Sequence, residues 1–454
     1  MSISPKVCII GAGPAGLAAA RHLKDRGITY DQLERHNDVG GIWDINNPGT
    51  PMYDSAHFIS SRFTAGYYGF PMPEYFPDYP GHRLVLEYTR QFAVAYGLYE
   101  HIQFNRSVDS VVKAGDVWEV TLSNGEQSRY SHVICASGHT WEPNWPGYEG
   151  EFSGEIMHSV DYQSADIFKG KRVLVVGAGN SACDIACDAA QSADAAFISM
   201  RRGYHFIPKH IDGEPTDVFV AKSRWMHIKP RRWLFERILK RVNGDLTALG
   251  FETPDHRLLE SHPIINSQLI HYIQHGDISA CRDIERLDGD DVVFKDGRRR
   301  KIDLIIYATG FKYDIPYANT EYFQWTGYKP RLGYTIFNRK HDTLYAAGFT
   351  EMNAGGYYIF DEMTSLIADA IDTHINRPEQ WPRVRDSVSE DVDFSGGINF
   401  IKSERHADYI NMDSYLKACR TLSRRLGWLP ARTRLEGMSQ QPALPQSDIL
   451  IAAE

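Results

Sequence analysis

The sequence predicts an α/β protein made of two doubly wound units, one inserted into the other. Three observations carry this expectation. A short apolar strand, a glycine turn and a helix open the chain between residues 6 and 26. The same order recurs between residues 171 and 191. A further apolar strand at 302–310 offers the chain a way back after the second unit.

Composition bounds the classes that remain. A chain of 454 residues, 43% hydrophobic and 24% charged, has the material for two or three globular domains. A net charge of −9 gives no overall pull toward nucleic acid. The six cysteines, Cys8, Cys135, Cys183, Cys187, Cys281 and Cys419, form no CxxC pair. Neither a zinc site nor a thioredoxin-like motif is expected, and the pattern suits a reducing cytoplasm. Cys183 and Cys187 lie four apart on a predicted helix and read as packing thiols. Residues 7–20 resemble the core of a signal peptide, but Gly11, Gly13, Pro14 and Gly16 interrupt them and no charged segment leads them. No run of about 18 apolar residues occurs. The expectation is a cytoplasmic protein without a transmembrane segment.

The first unit starts with Lys6-Val-Cys-Ile-Ile10, apolar and partly β-branched, a buried parallel strand. Gly11-Ala12-Gly13-Pro14-Ala15-Gly16 follows at once, and residues 17–26 continue as a helix ended by Gly27. Gly11 permits the tight turn, Gly13 lets the backbone approach a pyrophosphate, and Gly16 lets helix and strand pack closely. The next strand, residues 28–33, ends at Glu34, placed to accept hydrogen bonds from ribose hydroxyls. This is a Rossmann-like, dinucleotide-binding context. Gly40-Gly41-Ile42-Trp43 then lets the backbone pass close to a flat ligand, with Trp43 as a wall.

In the second unit, Lys171-Arg-Val-Leu-Val-Val176 is the strand and Gly177-Ala178-Gly179-Asn180-Ser181-Ala182 the turn. Residues 183–191 form the helix and 195–200 the next strand. No acid ends that strand; Arg201-Arg202 stands there. A carboxylate repels a 2′-phosphate, whereas guanidinium groups pair with it. The first site therefore suits the adenosine half of FAD, the second suits NADPH over NADH, and two cofactors face each other for hydride transfer.

The linkers complete the plan. Residues 133–138 read as a strand leaving the first unit, and 139–146 as a Pro- and Trp-rich hinge. The expected FAD domain is split, 1–162 and 306–454, and the NADPH domain spans 163–305. A basic, aromatic insert at about 205–260 carries an amphipathic helix. It reads as a helix with one buried and one solvated face rather than a membrane-surface or substrate-entrance element. Residues 438–454, rich in Gln and Pro, are expected to be disordered.

Between the two turns, Phe152-Ser-Gly154-Glu-Ile-Met-His158-Ser-Val-Asp-Tyr162 matches FxGxxxHxxxY. With this motif the chain resembles the flavin-containing monooxygenases. The related Baeyer–Villiger enzymes usually carry Trp at the place of Tyr162. Gly40–Trp43 is similar to the family's GGxW, Asn180-Ser181 to its NADPH turn, and Ala308-Thr309-Gly310-Phe311 to its ATG[FY], so Thr309 and Gly310 join the cofactor residues. The resemblance covers roughly residues 5–375. It implies FAD and NADPH as cofactors and O2 and a small amine or sulfide as substrates. It also implies a C4a-hydroperoxyflavin that delivers oxygen, and a homodimer.

One position departs from the family, which usually has an SN pair beside the flavin. Here Ser60-Ser61 stands at it, followed by Arg62. Serine has a single donor hydrogen where asparagine both donates and accepts. Ser61 and Arg62 are the expected catalytic pair, and Ser61 predicts greater leakage of peroxide or an unusual substrate. Two alternatives share the frame: Baeyer–Villiger oxidation of ketones, and an uncoupled NADPH oxidase. A disulfide reductase lacks its cysteine pair, and a serine hydrolase lacks its GxSxG elbow. A non-catalytic flavin scaffold has no use for Arg201-Arg202. His57 and His139 read as packing or loop histidines.

Overall fold

The computed structural model describes residues 5–437 except 328, 404, 405, 407 and 408; the tail expected to be disordered, 438–454, lies outside them. Two five-stranded parallel sheets organise a mixed α/β chain. The first runs Leu344–Ala346, His132–Cys135, Val7–Ile10, Tyr30–Leu33, Ile102–Gln103 across its width, every pair parallel. Val7–Ile10 is buried at all four positions, which is why it reads as an unbroken apolar run. Helix α1 (Pro14–Asp25) follows, with Pro14 in its first turn, where a missing N–H leaves nothing unbonded. It stops where Arg26 and Gly27 bond back to Leu23 and Lys24, with Gly27 at φ +65°. Helix α2 (His82–Ala95) adds Val85, Tyr88 and Phe92 to the same core.

The second sheet runs Glu155–His158, Leu304–Tyr307, Arg172–Val176, Ala195–Ser199, Ile278–Cys281, again all parallel. Helix α3 (Asn180–Ser192) follows its glycine turn. The insert supplies α4 (Thr216–Ala221) and α5 (Ile228–Asn243), and α6 (Gln268–His275) returns the chain to the sheet. Phe235 and Leu239 are buried on α5 while Trp233 and Val242 are exposed, the two-faced helix expected. Among the described residues no helix is long and apolar enough to cross a membrane.

The expected boundaries need correction. Leu304–Tyr307 was expected to re-enter the first sheet at 306; it pairs instead with Arg172–Val176 and Glu155–His158 in the second. The first sheet is completed by Leu344–Ala346. Both segments are short apolar strands followed by glycine, so the pattern alone does not choose between them. In the observed pairing Asp303 lies beside Arg172, and its carboxylate accepts from the Arg172 amide (2.7 Å) and from its guanidinium (2.6 and 2.8 Å). Glu149–Phe152 likewise joins a mixed four-stranded sheet of the second lobe, parallel to Ile284–Gly289. The second lobe thus spans 149–310 rather than 163–305.

The chain after 350 closes the first lobe. Helix α7 (Tyr358–Asn376) lies along α1, and α8 (Trp381–Val388) and α9 (Met412–Leu426) pack over it. At the α1–α7 seam Arg21 is ion-paired to Asp361, with side chains 3% and 0% exposed. Arg21 also sits 4.8 Å from the centroids of Phe92 and Tyr96. Arg21→Met strands a buried carboxylate and is expected to cost about 3–5 kcal/mol in urea unfolding. Adding Asp361→Leu is expected to recover most of that loss, because no charge is then left unpaired.

Candidate active site

Both glycine turns open onto one cavity of about 1810 Å3. Gly11, Gly13, Ala15, Glu34, Gly41, Ile42 and Trp43 line it from the first lobe, and Gly177, Gly179, Asn180, Ser181, Arg201 and Arg202 from the second. Thr309 and Gly310 line the crossing between them, where Thr309 Oγ1 donates to the Asn144 carbonyl (2.6 Å). The expected cofactor residues are therefore brought together, except Gly16, Ala182 and Ser61, which lie behind the wall.

Sterics explain two of these glycines. A Cβ on Gly16 would lie 2.1 Å from the Gly11 carbonyl oxygen, and one on Gly177 would lie 2.4 Å from that of Ala308. Ala182 fits the third place of the second turn and is fully buried. Helices α1 and α3 start at Gly13 and Gly179, and neither N-terminus is capped by a side chain. Their free N–H groups and positive dipole ends face the cavity, a cradle suited to pyrophosphate. Beside the first, Glu34 is 5% exposed and accepts from the amides of Ala12 (2.6 Å) and His36 (2.8 Å). Each carboxylate oxygen keeps a second acceptor site for a ribose hydroxyl. Beside the second, Arg202 stands 3.5 Å from Asp255, and Arg201 has no ion-pair partner among the described residues.

The fingerprint residues work as a seam rather than as catalysts. A Cβ on Gly154 would meet the Asp303 carbonyl at 2.6 Å and the Phe152 ring at 2.7 Å. His158 is fully buried, packed against Trp145 and Phe311, and accepts from the Val160 amide. Burial holds its pKa below the usual value, which keeps it neutral. Tyr162 donates to Asp188 on α3 (2.8 Å). Ser55 donates to the same carboxylate, and Tyr53 donates to Asp184 (3.1 Å). Residues 53–55 of the first lobe are thereby clamped to the second.

Asp184 and Asp188 were missed from the sequence, although their spacing of four on the predicted helix was a usable signal. Burial pushes the Asp184 carboxyl up to about 6. A carboxyl whose pKa is raised on folding stabilises fully below its unfolded value, and that contribution is lost as pH rises through about 6. Asp184→Asn is therefore expected to melt higher than the wild type, by a margin that widens from about pH 5 to about pH 7.

The expected catalytic pair is corrected. Ser61 and Arg62 do not line the cavity, whereas Ser60, His57 and Thr64 do. The Ser61 amide donates to Asp217 Oδ2 of the insert (2.7 Å), and Thr64 Oγ1 donates to the same oxygen. The Ser61 side chain is fully buried, and its hydroxyl has no hydrogen-bond partner among the described residues. Arg62 bonds through its amide to the Asp78 carbonyl and lays its guanidinium over Phe63. Asp217 thus ties the insert to the loop beside the first glycine turn, across a sequence separation no local pattern reports. His139 is stacked on Tyr313 (4.6 Å) and hydrogen-bonded to the Gly348 carbonyl. The six cysteines are all buried and unpaired, and burial pushes the Cys135 thiol up to about 12, so no reactive thiol faces the site.

Fold and site together define a two-nucleotide flavoprotein. Residues 4–352 match the family described as flavin-binding monooxygenase-like, and the chain belongs to that family. It is 33% identical over 338 residues to the rat (Rattus norvegicus) N-oxide-forming dimethylaniline monooxygenase 2, covering 69% of this chain and 62% of that protein. The chain thus spans less than two thirds of that relative's length. It is 29% identical over 369 residues to the probable indole-3-pyruvate monooxygenase YUCCA9 of Arabidopsis thaliana, covering 77% of this chain and 85% of the other. Among solved structures, OTEMO in complex with FAD and NADP superposes with a TM-score of 0.72 at 18% identity, over 94% of this chain and 98% of that one; this likeness is one of fold.

Proposed function

We propose that the chain is an NADPH- and O2-dependent flavoprotein monooxygenase that oxygenates a soft nucleophile, an amine nitrogen or a sulfide sulfur. The observation that carries the reading is the opposition of two uncapped helix N-termini across one cavity, with an acid beside the first and arginines beside the second. FAD and NADPH are its cofactors. Residues 5–148 and 311–437 hold FAD through Gly11, Gly13, Glu34 and Gly41; residues 149–310 hold NADPH through Gly177, Gly179, Ser181, Arg201 and Arg202.

The overall reaction takes substrate, O2, NADPH and a proton to oxygenated substrate, NADP+ and water. When bound, the flavin accepts hydride from NADPH and passes the electrons to oxygen. The chain's own residues hold the two nucleotides in register and exclude water. Trp43 forms a wall beside Phe58 (5.2 Å), and the Asp217 tie draws the insert over the cavity. The Asn180 side-chain oxygen accepts from the Ile265 amide (2.8 Å) and its nitrogen donates to the Pro263 carbonyl (3.3 Å), which ties residues 263–265 to α3 and leaves one donor and one acceptor site for a cofactor. Anaerobic mixing with one equivalent of NADPH is expected to bleach the bound flavin within seconds. A holoenzyme that stays yellow is inconsistent with the proposal.

A further inference from the structure

The insert carries a charged group that is only loosely paired. On α5, Arg231, Leu234, Phe235 and Ile238 follow helical spacing and line the cavity together with Arg232, so the helix presents guanidinium groups beside apolar side chains. The Arg231 side chain is 13% exposed, yet it makes no hydrogen bond among the described residues. The carboxylate nearest to it, Asp413, is 3.9 Å away and is shared with Arg224 at 3.8 Å. Arginines buried to a similar degree behave differently. Arg21, Arg26, Arg232 and Arg339 each touch a carboxylate at hydrogen-bonding distance. Arg232, the next residue, is 2.9 Å from Glu260.

A guanidinium that lines a cavity and makes no hydrogen bond has donors to offer a ligand, and its planar fork matches a carboxylate. The acid on the same insert, Asp217, makes no ion pair with Arg231 and accepts instead from the Ser61 and Val218 amides and the Thr64 hydroxyl. Among the described residues no carboxylate lies within hydrogen-bonding distance of the Arg231 guanidinium. The 2′-phosphate of NADPH is already provided for by Arg201 and Arg202 at the far end of the strand Ala195–Ser199.

We infer that the substrate is an anionic one, a small amine or sulfide bearing a carboxylate that Arg231 holds, with Arg224 beside it. This rests on the monooxygenase reading above. The test uses the holoenzyme with 3-(methylthio)propanoate, its neutral amide, and methyl phenyl sulfide, each followed as sulfoxide formed per NADPH. The acid is expected to exceed the amide in kcat/KM by about 10- to 100-fold, chiefly through KM. Arg231→Gln is expected to abolish that preference while NADP+ affinity, measured by calorimetry, stays within about twofold. Arg231→Lys keeps the charge but loses the fork, and should fall between. Equal turnover of acid and amide by the wild type overturns the inference and leaves the proposed function standing, as does an Arg231→Gln variant that loses NADP+ affinity along with substrate. No sulfoxide from any of the three probes overturns the proposed function as well.

Discussion

Gly16→Val is expected to yield a protein that does not retain flavin. The added Cβ would stand 2.1 Å from the Gly11 carbonyl oxygen and 3.1 Å from Gln32 Nε2. The first of these is backbone, and Gly11 cannot retreat: it is held at φ +109° with its own missing Cβ 2.6 Å from the Ala136 carbonyl. Helix α1 must therefore move off the strand, taking the Gly13 amides and the dipole end with it. Overpacking of this kind costs about 1–3 kcal/mol or more in stability, but the larger effect is on binding, because the phosphate cradle is displaced as a unit. Purified Gly16→Val should be colourless and show no turnover. Gly147→Ala is the control, since nothing lies within 4 Å of its added carbon. A yellow, active Gly16→Val would mean that the first turn does not hold the flavin.

The second large effect is on the reductant. Replacing Arg201 and Arg202 together by alanine is expected to lower kcat/KM for NADPH by about 100-fold or more, since each charge-assisted bond contributes about 1.5–3 kcal/mol. The rate with NADH should change little, because NADH carries no 2′-phosphate. In the structure Arg202 rests against Asp255 at 3.5 Å and must leave it to engage a phosphate. The pair is exposed enough for that exchange, with side chains 27% and 58% accessible. Initial rates with each nucleotide, in wild type and variant, decide the matter. An equal fall with both would assign the two arginines to folding rather than to discrimination.

Much of this was legible in the residues because glycine turns are local. Gly11–Gly16 and Gly177–Ala182 each sit between a strand and a helix whose apolar pattern announces them, and Glu34 and Arg201-Arg202 follow at the strand ends. Nothing in that arrangement depends on distant partners. The errors fall where distant partners decide. Leu304–Tyr307 and Leu344–Ala346 are both short apolar strands, and only packing against distant strands such as Arg172–Val176 distinguishes the sheet of the first. Ser61 stood at the expected flavin position in the linear pattern, yet its side chain is buried off the cavity and its amide is bound by Asp217, far along the chain. The insert was read correctly as a two-faced helix, but that Arg231 lies on its cavity face required the surrounding lobes to be in place.

Oxygen-isotope labelling tests the central claim most directly. Under 18O2, with NADPH and a thioether probe, the account predicts one 18O atom in each sulfoxide molecule and close to one sulfoxide per NADPH consumed. If NADPH is consumed with hydrogen peroxide as the stoichiometric product and no label enters any thioether, charged or neutral, the chain is an oxidase and the account is contradicted.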